Sequence, residues 1–221
     1  MIYAICSTNR TGSSLLCELL MNSGLAGYPA DFTNALHLEH FLPDCKAHRP
    51  MTKKSMVELI GKYSANGIFG IKLPYASYKK EIERSTLLNL FPETPKFIYI
   101  TREDKLKQAI SALKAVGERK YYSFQEVENK TKESYSKKNI DFYLNNIKDQ
   151  ESEWERYFSR TNSNPLRISY EELETDQTNT LTKVLEFLDV NVTKFVPSKT
   201  KLKKQSNDVN LEWEKKYKSE Q

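Results

Sequence analysis

Short apolar runs alternate along the chain with longer stretches in which apolar residues recur every three or four positions. Each short run is β-prone and has the length of a buried strand, whereas the longer stretches are typical of amphipathic helices. The strand candidates are 2–7, 67–73, 96–101 and 165–169. The helical patterns begin at Ser13, Asp104 and Asn139, and a shorter one covers 181–188. This alternation predicts an α/β fold with a mostly parallel central sheet flanked by helices in three layers.

In sheets of this kind ligands bind at the carboxyl ends of the strands, so the loops that follow the strands are where chemistry is expected. A chain of 221 residues buries a sizeable core only if that core is shared. We therefore predict one domain over 1–221 with one site. The hydrophilic stretch 117–138 is the candidate for a long mobile element, a lid or substrate loop.

Composition and charge narrow the function classes. The net charge of +5 suits a small polyanionic ligand, but it is too small to require nucleic acid, and basic residues with interleaved aromatics are few. No window holds eighteen apolar residues, and the opening MIYAICST lacks the features of a signal peptide, so we expect a cytoplasmic protein without membrane insertion. Cys6, Cys17 and Cys45 lack ligand spacing and are interpreted as reduced, buried thiols.

A polar turn carrying Gly12 lies between the first strand and the first helix, where backbone N–H groups and the helix dipole favour an anion. Aligned with the nucleotide-kinase pattern GxxxxGK[ST], the turn keeps Gly12 and Ser14 but has Ser7 for the first glycine and Ser13 for the lysine. What remains is a small-residue turn preceded by the cation Arg10. Such a turn can hold a phosphosulfate through main-chain donors, hydroxyls and a guanidinium.

The third strand ends in a cation rather than a carboxylate. In P-loop NTPases an aspartate at the end of a strand helps to hold magnesium, whereas here the strand leads into Thr101 and Arg102. Arg102 and Ser111, nine residues later on the following helix, can converge on one phosphate. The alternative is a surface arginine paired with Glu103 or Asp104.

These segments resemble the PAPS-dependent sulfotransferases, in particular the bacterial branch typified by trehalose 2-sulfotransferase. The resemblance covers most of the chain, because its segments follow in the family's order. They are TNRTGSSLLCELL, AGYPADF, FGIKL, ITREDKLKQAISALKA, WERYF, ISYEEL and KKQSNDVNLEW. It implies a P-loop-like fold and sulfuryl transfer from 3′-phosphoadenosine 5′-phosphosulfate (PAPS) to a hydroxyl of a carbohydrate or glycolipid, without a metal. It also implies a homodimer.

The resemblance assigns roles position by position. Arg102 and Ser111 would bind the 3′-phosphate, and Tyr170 would lie near the adenine. Lys204, in the basic loop 199–208, would close over the 3′-phosphate, although a frayed basic tail is the alternative. The residues that would bind the 5′-phosphosulfate are Arg10, Thr11, Gly12, Ser13 and Ser14.

The segment AGYPADF corresponds to the family's substrate segment and departs from it at two positions. Relatives commonly carry glutamate where this chain has Tyr28 and Asp31, and the second is the proposed base. Asp31 keeps the carboxylate, and we predict that Tyr28, Asp31 and Phe32 bind the acceptor. Arg10 would join Asp31 in catalysis by steadying the sulfuryl oxygens. Asp31 could also cap the helix expected after Pro29.

Other polar residues have competing interpretations. Lys72, at the end of the second strand, is either a further donor or a surface lysine that closes the strand, and we favour the surface interpretation. His37 and His40 lack the spacing and third ligand of a zinc site, so no metal is expected. They are interpreted as polar surface or sugar contacts, with His37 or His40 as the base if Asp31 fails. An ATP-dependent kinase with an atypical P-loop and a non-catalytic nucleotide-binding protein remain the alternative functions.

Overall fold

The computed structural model describes residues 1–118, 125, 134–192, 200, 202 and 208–220. Its four strands are β1 (Ile2–Ser7), β2 (Phe69–Pro74), β3 (Lys96–Thr101) and β4 (Leu166–Ser169). They form one sheet in the order β2-β1-β3-β4, and every pairing is parallel. The mostly parallel sheet predicted from the alternating pattern is thus confirmed.

Nine α-helices are described along the chain, together with a short 3-10 helix at Leu87–Leu90. Five of them belong to the first 120 residues: α1 (Ser13–Ser23), α2 (Ala35–Phe41), α3 (Lys53–Tyr63), α4 (Tyr75–Glu83) and α5 (Lys105–Gly117). The others are α6 (Lys137–Arg160), α7 (Tyr170–Thr175), α8 (Gln177–Phe187) and α9 (Asp208–Ser219). Within the described parts of the chain, no helix has the length and apolar character needed to cross a membrane.

Both faces of the sheet are covered, so the strands are buried almost throughout. Alternate residues of one strand enter different cores, because successive side chains of a strand point to opposite faces. In β1, for example, Ala4 and Cys6 belong to the core beneath α2, α3, α4 and α6, whereas Tyr3 and Ile5 pack towards α1 and α8. A third apolar cluster joins α5, α6 and α9. The layered α/β architecture follows from these two covered faces.

The start of α2 differs from the expectation that Asp31 caps it. Asn34 is the N-cap residue, and its side chain accepts a hydrogen bond from the backbone N–H of His37. Asp31 instead lies one step after Ala30, which forms a parallel bridge with Ile71 of β2. A turn in which the N–H of Asn34 donates to the carbonyl of Asp31 follows the bridge, so the helix begins four residues after Asp31 and leaves it outside.

Candidate active site

The connections after β1, β2 and β3 meet at the carboxyl edge of the sheet. Because β1 lies between β2 and β3, its loop is flanked by the other two, and the chain direction across the sheet reverses at this point. Ligands of open α/β sheets bind at such a switch point. A cavity of about 580 Å³ lies there. Its polar lining includes Arg10, Ser14, Asp31, Lys72, Arg102 and Ser111.

The loop after β1 turns tightly at Gly12, which brings its backbone close to Tyr170 at the start of α7. Gly12 has φ +77°, and a Cβ at this position would lie 2.6 Å from Cδ2 of Tyr170. Only glycine therefore fits both the left-handed backbone and the close approach of the ring. Gly12 is also the N-cap residue of α1. Because glycine has no side chain, it cannot accept hydrogen bonds from the first N–H groups of the helix. This is the arrangement expected of an anion-binding turn.

Helix α5 holds this loop from the other side. Nε of Arg10 donates to Oγ of Ser111 at 2.9 Å. Gln108, which is fully buried, donates from Nε2 to Oγ1 of Thr8 at 2.9 Å and to the carbonyl of Asn9 at 2.7 Å. The structure thus joins Ser111 to Arg10 of the loop, whereas the sequence prediction had paired Ser111 with Arg102. Sequence reasoning missed Gln108, although its position one turn before Ser111 on α5 was a usable signal.

Lys72 is buried, which contradicts its interpretation as a surface lysine. It is 6% exposed, and its Nζ donates to Oγ of Ser14 at 2.9 Å. Burial of an ammonium group is costly unless it is hydrogen-bonded or paired. The register places Lys72 beside Ile5 of β1, so the side chain leaves β2 two residues before the strand ends and reaches the first turn of α1. Three cations thus reach the cavity from neighbouring positions: Arg10 from the loop after β1, Lys72 from β2 itself and Arg102 from the connection after β3.

Arg102 lies over the face of Tyr170, with its guanidinium carbon 4.6 Å from the ring centroid. Its side chain is 13% exposed, and Nε lies 3.9 Å from a carboxylate oxygen of Glu171. Among the described ion pairs none joins Arg102 to Glu103 or Asp104, and Asp104 caps α5 instead. The surface-arginine alternative is therefore wrong, because stacking and burial keep the guanidinium at the cavity.

Tyr170 completes this end of the cavity. Its hydroxyl donates to Oε1 of Glu174 at 2.9 Å. Burial, followed by the bond to Glu174, raises the pKa of Tyr170 to about 12, so the phenol stays protonated at neutral pH. Capping boxes are frequent helix starts, and Ser169 and Glu172 form one that fixes the start of α7 and hence the position of the ring.

Asp31 lines the cavity, as do the carboxylates of Glu174 and Glu214. It is only 2% exposed, and Oδ1 accepts hydrogen bonds from the backbone N–H of Thr33 at 3.1 Å and from its hydroxyl at 2.6 Å. Oδ2 takes part in neither bond. A fixed carboxylate among three cations is suited to accept a proton from a ligand hydroxyl while anionic groups are held nearby.

Comparison with known proteins shows which family the chain belongs to. The family model described as Stf0 sulphotransferase matches residues 2–220. The chain belongs to this family. It is a sulfotransferase, an enzyme that transfers a sulfuryl group, and the resemblance noted in the sequence is confirmed.

Two curated relatives are trehalose 2-sulfotransferases. The one from Mycobacterium tuberculosis (strain ATCC 35801 / TMC 107 / Erdman) is 23% identical over 255 residues, which covers 99% of this chain and 94% of the relative. The one from Mycolicibacterium smegmatis (strain ATCC 700084 / mc(2)155) is 23% identical over 252 residues, covering 97% and 93%.

Solved sulfotransferases share the fold. The sulfotransferase domain from the curacin biosynthetic pathway superposes with a TM-score of 0.54 at 18% identity, over 86% of this chain and 74% of that one. A sulfotransferase from Alicyclobacillus acidocaldarius gives 0.53 at 13% identity, over 99% and 92%. The P-loop-like α/β prediction is confirmed by these neighbours.

Three residues predicted for the sulfotransferase site lie away from the cavity lining. Tyr28 is 42% exposed but lines no part of it. Phe32 is fully buried and stacks on Phe69 in the core. Thr11 is also buried, and its hydroxyl donates to the carbonyl of Thr8 at 3.2 Å, so it shapes the loop from within. Of the substrate segment, the sulfotransferase presents only Asp31 to the cavity.

The remaining predictions concern histidines, metal ligands and two segments. His37 is fully buried, so its interpretation as polar surface is wrong. This burial, followed by the charges of nearby Lys72 and His40, lowers the pKa of His37 well below its usual range.

Among the described residues there is no group of three or more His, Cys, Asp or Glu side chains that could hold a metal ion. Lys204, most of the loop 199–208 and most of the segment 117–138 lie outside the described residues.

Proposed function

We propose that this sulfotransferase moves the sulfuryl group of PAPS to a hydroxyl of a carbohydrate or glycolipid acceptor, releases adenosine 3′,5′-bisphosphate and needs no metal. The observation that carries the proposal is the convergence of Arg10, Lys72 and Arg102 on one cavity that also holds Asp31. Three cations suit a donor with two separated anionic ends. The acceptor class rests on the names of the two trehalose 2-sulfotransferase relatives.

The 5′-phosphosulfate would lie at the start of α1. There Gly12, Ser13 and the neighbouring N–H groups offer main-chain donors, and Arg10 and Ser14 add side-chain donors. The first turn of α1 carries no acidic side chain that would compete with this anion. Lys72, bonded to Ser14, stands beside the same turn and is suited to neutralise charge on the sulfuryl oxygens.

The nucleoside end would lie between the loop after β3 and α7. Arg102 and Ser111 are assigned to the 3′-phosphate, and Tyr170 to the adenine. Support for this end comes from the stack of Arg102 on Tyr170 and from the bond that joins Ser111 to Arg10 of the opposite loop. Lys204 remains a prediction for the same phosphate.

The transfer step requires little covalent chemistry from the protein. The acceptor oxygen bonds to sulfur as the bond between sulfur and the bridging phosphosulfate oxygen breaks, and that electron pair leaves with adenosine 3′,5′-bisphosphate. The acceptor proton passes to Oδ2 of Asp31. Arg10 and Lys72 hold the sulfuryl oxygens so that the acceptor oxygen, the sulfur and the leaving oxygen are in line. Positioning and charge therefore provide most of the catalysis.

Replacing Arg102 with alanine should weaken binding of adenosine 3′,5′-bisphosphate by about 2 kcal/mol, roughly thirtyfold, because a charge-assisted contact to phosphate is lost. Titration calorimetry measures the change. The matched control is Arg167→Ala, which removes an exposed arginine paired with Glu155. Equal affinity in the two variants would remove Arg102 from the 3′-phosphate.

Replacing Gly12 with alanine should reduce affinity for the same bisphosphate about tenfold or more, because a left-handed backbone strains a Cβ and this Cβ meets the Tyr170 ring. Gly24→Ala provides the control. Gly24 has a similar φ of +66° but nothing within 4 Å of an added Cβ. If both variants bound the nucleotide equally well, the loop would not be the donor site.

Mass-detected transfer from PAPS to a panel of sugars and glycolipids, with and without EDTA, tests the reaction. The proposal predicts a sulfated product that EDTA does not diminish. Phosphorylation that requires ATP and magnesium would indicate a kinase. Bisphosphate binding without transfer to any acceptor would indicate a nucleotide-binding protein.

The expected cytoplasmic location and homodimer remain predictions. Cys6, Cys17 and Cys45 are all free, which is typical of proteins in a reducing compartment and supports the location. Sedimentation of the purified protein measures the oligomeric state, and a species of twice the 25.7 kDa chain mass is expected.

A further inference from the structure

Helix α1 carries a carboxylate that is almost completely buried. Glu18 is 4% exposed, although burial of a charged side chain is costly unless hydrogen bonds or an opposite charge compensate it. Its Oε2 accepts a short hydrogen bond from the hydroxyl of Thr200 and another from the backbone N–H of Leu202 at 3.2 Å. These partners lie more than 180 residues further along the chain. The contact therefore ties α1 to a segment near the end of the sequence.

The tied segment forms part of the cavity wall. Thr200 and Leu202 both line the cavity, together with Tyr170 and other residues of the proposed nucleoside end. The hydroxyl of Thr200 also accepts a hydrogen bond from the N–H of Leu202 at 3.0 Å. One carboxylate oxygen and one hydroxyl therefore hold Thr200 and Leu202 against α1.

Glu18 itself is not among the residues that line the cavity. It lies one helical turn after Ser14, so the same helix starts with the proposed phosphosulfate loop and then holds the segment opposite. A carboxylate that faced an anionic donor would repel it, whereas here the hydroxyl and N–H donors satisfy the charge. The placement favours a role in positioning the wall rather than in contacting reactants.

We infer that Glu18 is a positioning residue that holds Thr200 and Leu202 in the cavity wall, where they help to bind the sulfuryl donor. This inference rests on the proposed function, because the donor is taken to be PAPS. Loss of the anchor acts on donor affinity. It leaves the sulfuryl-transfer machinery of Arg10, Asp31 and Lys72 intact once the donor is bound.

The test is Glu18→Gln, which keeps the shape of the side chain but removes the charge that strengthens both bonds. The KM for PAPS and the Kd for adenosine 3′,5′-bisphosphate should each rise about tenfold, as expected for weakened charge-assisted bonds. Turnover at saturating PAPS should stay within about twofold of wild type, since uniform binding is lost rather than transition-state contacts. Glu212→Gln, on the exposed surface of α9, is the control and should change neither constant.

Thr200→Val removes the partner hydroxyl and should reproduce the rise in KM. The double variant should be no worse than either single variant, because both changes break one interaction. Additive effects, an unchanged KM, or a loss of turnover at saturating PAPS without a change in KM would overturn the inference.

A readout without nucleotide separates this inference from the proposed function. Trypsin cleavage at the lysines next to Thr200 and Leu202 in the sequence should be about tenfold faster in Glu18→Gln than in Glu212→Gln, because cleavage follows the population of molecules in which these two residues have left α1. If Glu18→Gln is cleaved faster but the wild-type protein binds no bisphosphate, the proposed function is contradicted and the positioning role of Glu18 is supported. Equal cleavage rates would overturn the anchor even if PAPS is the donor.

Discussion

Replacing Asp31 with asparagine is expected to lower the turnover number of this sulfotransferase about 10²–10⁴-fold, the contribution typical of a general base. Asparagine keeps the size of the side chain and can still accept the two hydrogen bonds from Thr33, but it takes no proton from the acceptor. The loop geometry and the three cations are unaffected. Binding of adenosine 3′,5′-bisphosphate, measured by calorimetry, should therefore stay within about twofold of wild type.

The control for this change is Glu39→Gln, an exposed carboxylate on α2 that does not line the cavity. Asp31→Glu is informative as well, because it installs the glutamate that the sequence resemblance implies for relatives at this position, and it should retain activity. Steady-state turnover at saturating PAPS and acceptor compares all three variants. Normal turnover in Asp31→Asn would remove Asp31 as the base.

The second large effect is expected for Lys72→Met. Methionine preserves much of the buried stem, but it removes the ammonium group that donates to Ser14 and faces the proposed sulfuryl oxygens. Removal of one such donor from a preorganised site typically costs about 10²–10³ in turnover. Single-turnover rates at saturating PAPS measure the loss without interference from product release.

Lys79→Met provides the comparison, because Lys79 is an exposed lysine of α4 paired with Glu83. The melting temperature of both variants shows whether the fold survives. Wild-type turnover in a folded Lys72→Met protein would mean that the buried lysine serves only the packing between β2 and α1.

The sheet was predictable because its strands are local apolar runs. The predicted bounds of β1 and β3 agree with the structure. β2 begins two residues later and ends one residue later than predicted, and β4 begins one residue later. Gly67 belongs to the turn before β2, where it has φ +72°, rather than to the strand. Helix α3 was not predicted, although Met56, Leu59, Ile60 and Tyr63 recur at helical spacing. Helix α9 was not predicted because its apolar residues are sparse and packing against other elements stabilises it.

The site was only partly predictable, because its key contacts join distant segments. The anion-binding turn and Arg102 follow strands and are visible as motifs. Lys72 is flanked by apolar residues in FGIKL, and nothing local distinguishes a lysine that ends a strand from one that reaches across to α1. Gln108 and Glu18 belong to the same class, because each is bonded across 99 to 184 residues of sequence.

The substrate segment shows a further limit of motif transfer. Tyr28, Asp31 and Phe32 lie within five residues and were assigned together, yet the backbone turns after the Ala30 bridge and the three side chains have different surroundings. Phe32 is in the core and Tyr28 is at the surface. A shared motif therefore did not imply a shared direction.

The central claim is that the loop after β1 and the arginine after β3 hold the two anionic ends of one nucleotide. Titration calorimetry of the wild-type protein with adenosine 3′,5′-bisphosphate in the presence of EDTA tests it most directly. The account predicts one bound nucleotide per chain, with affinity lost in Arg102→Ala and in Gly12→Ala. Absence of heat with this nucleotide, alongside tight binding of ATP with magnesium, would contradict it.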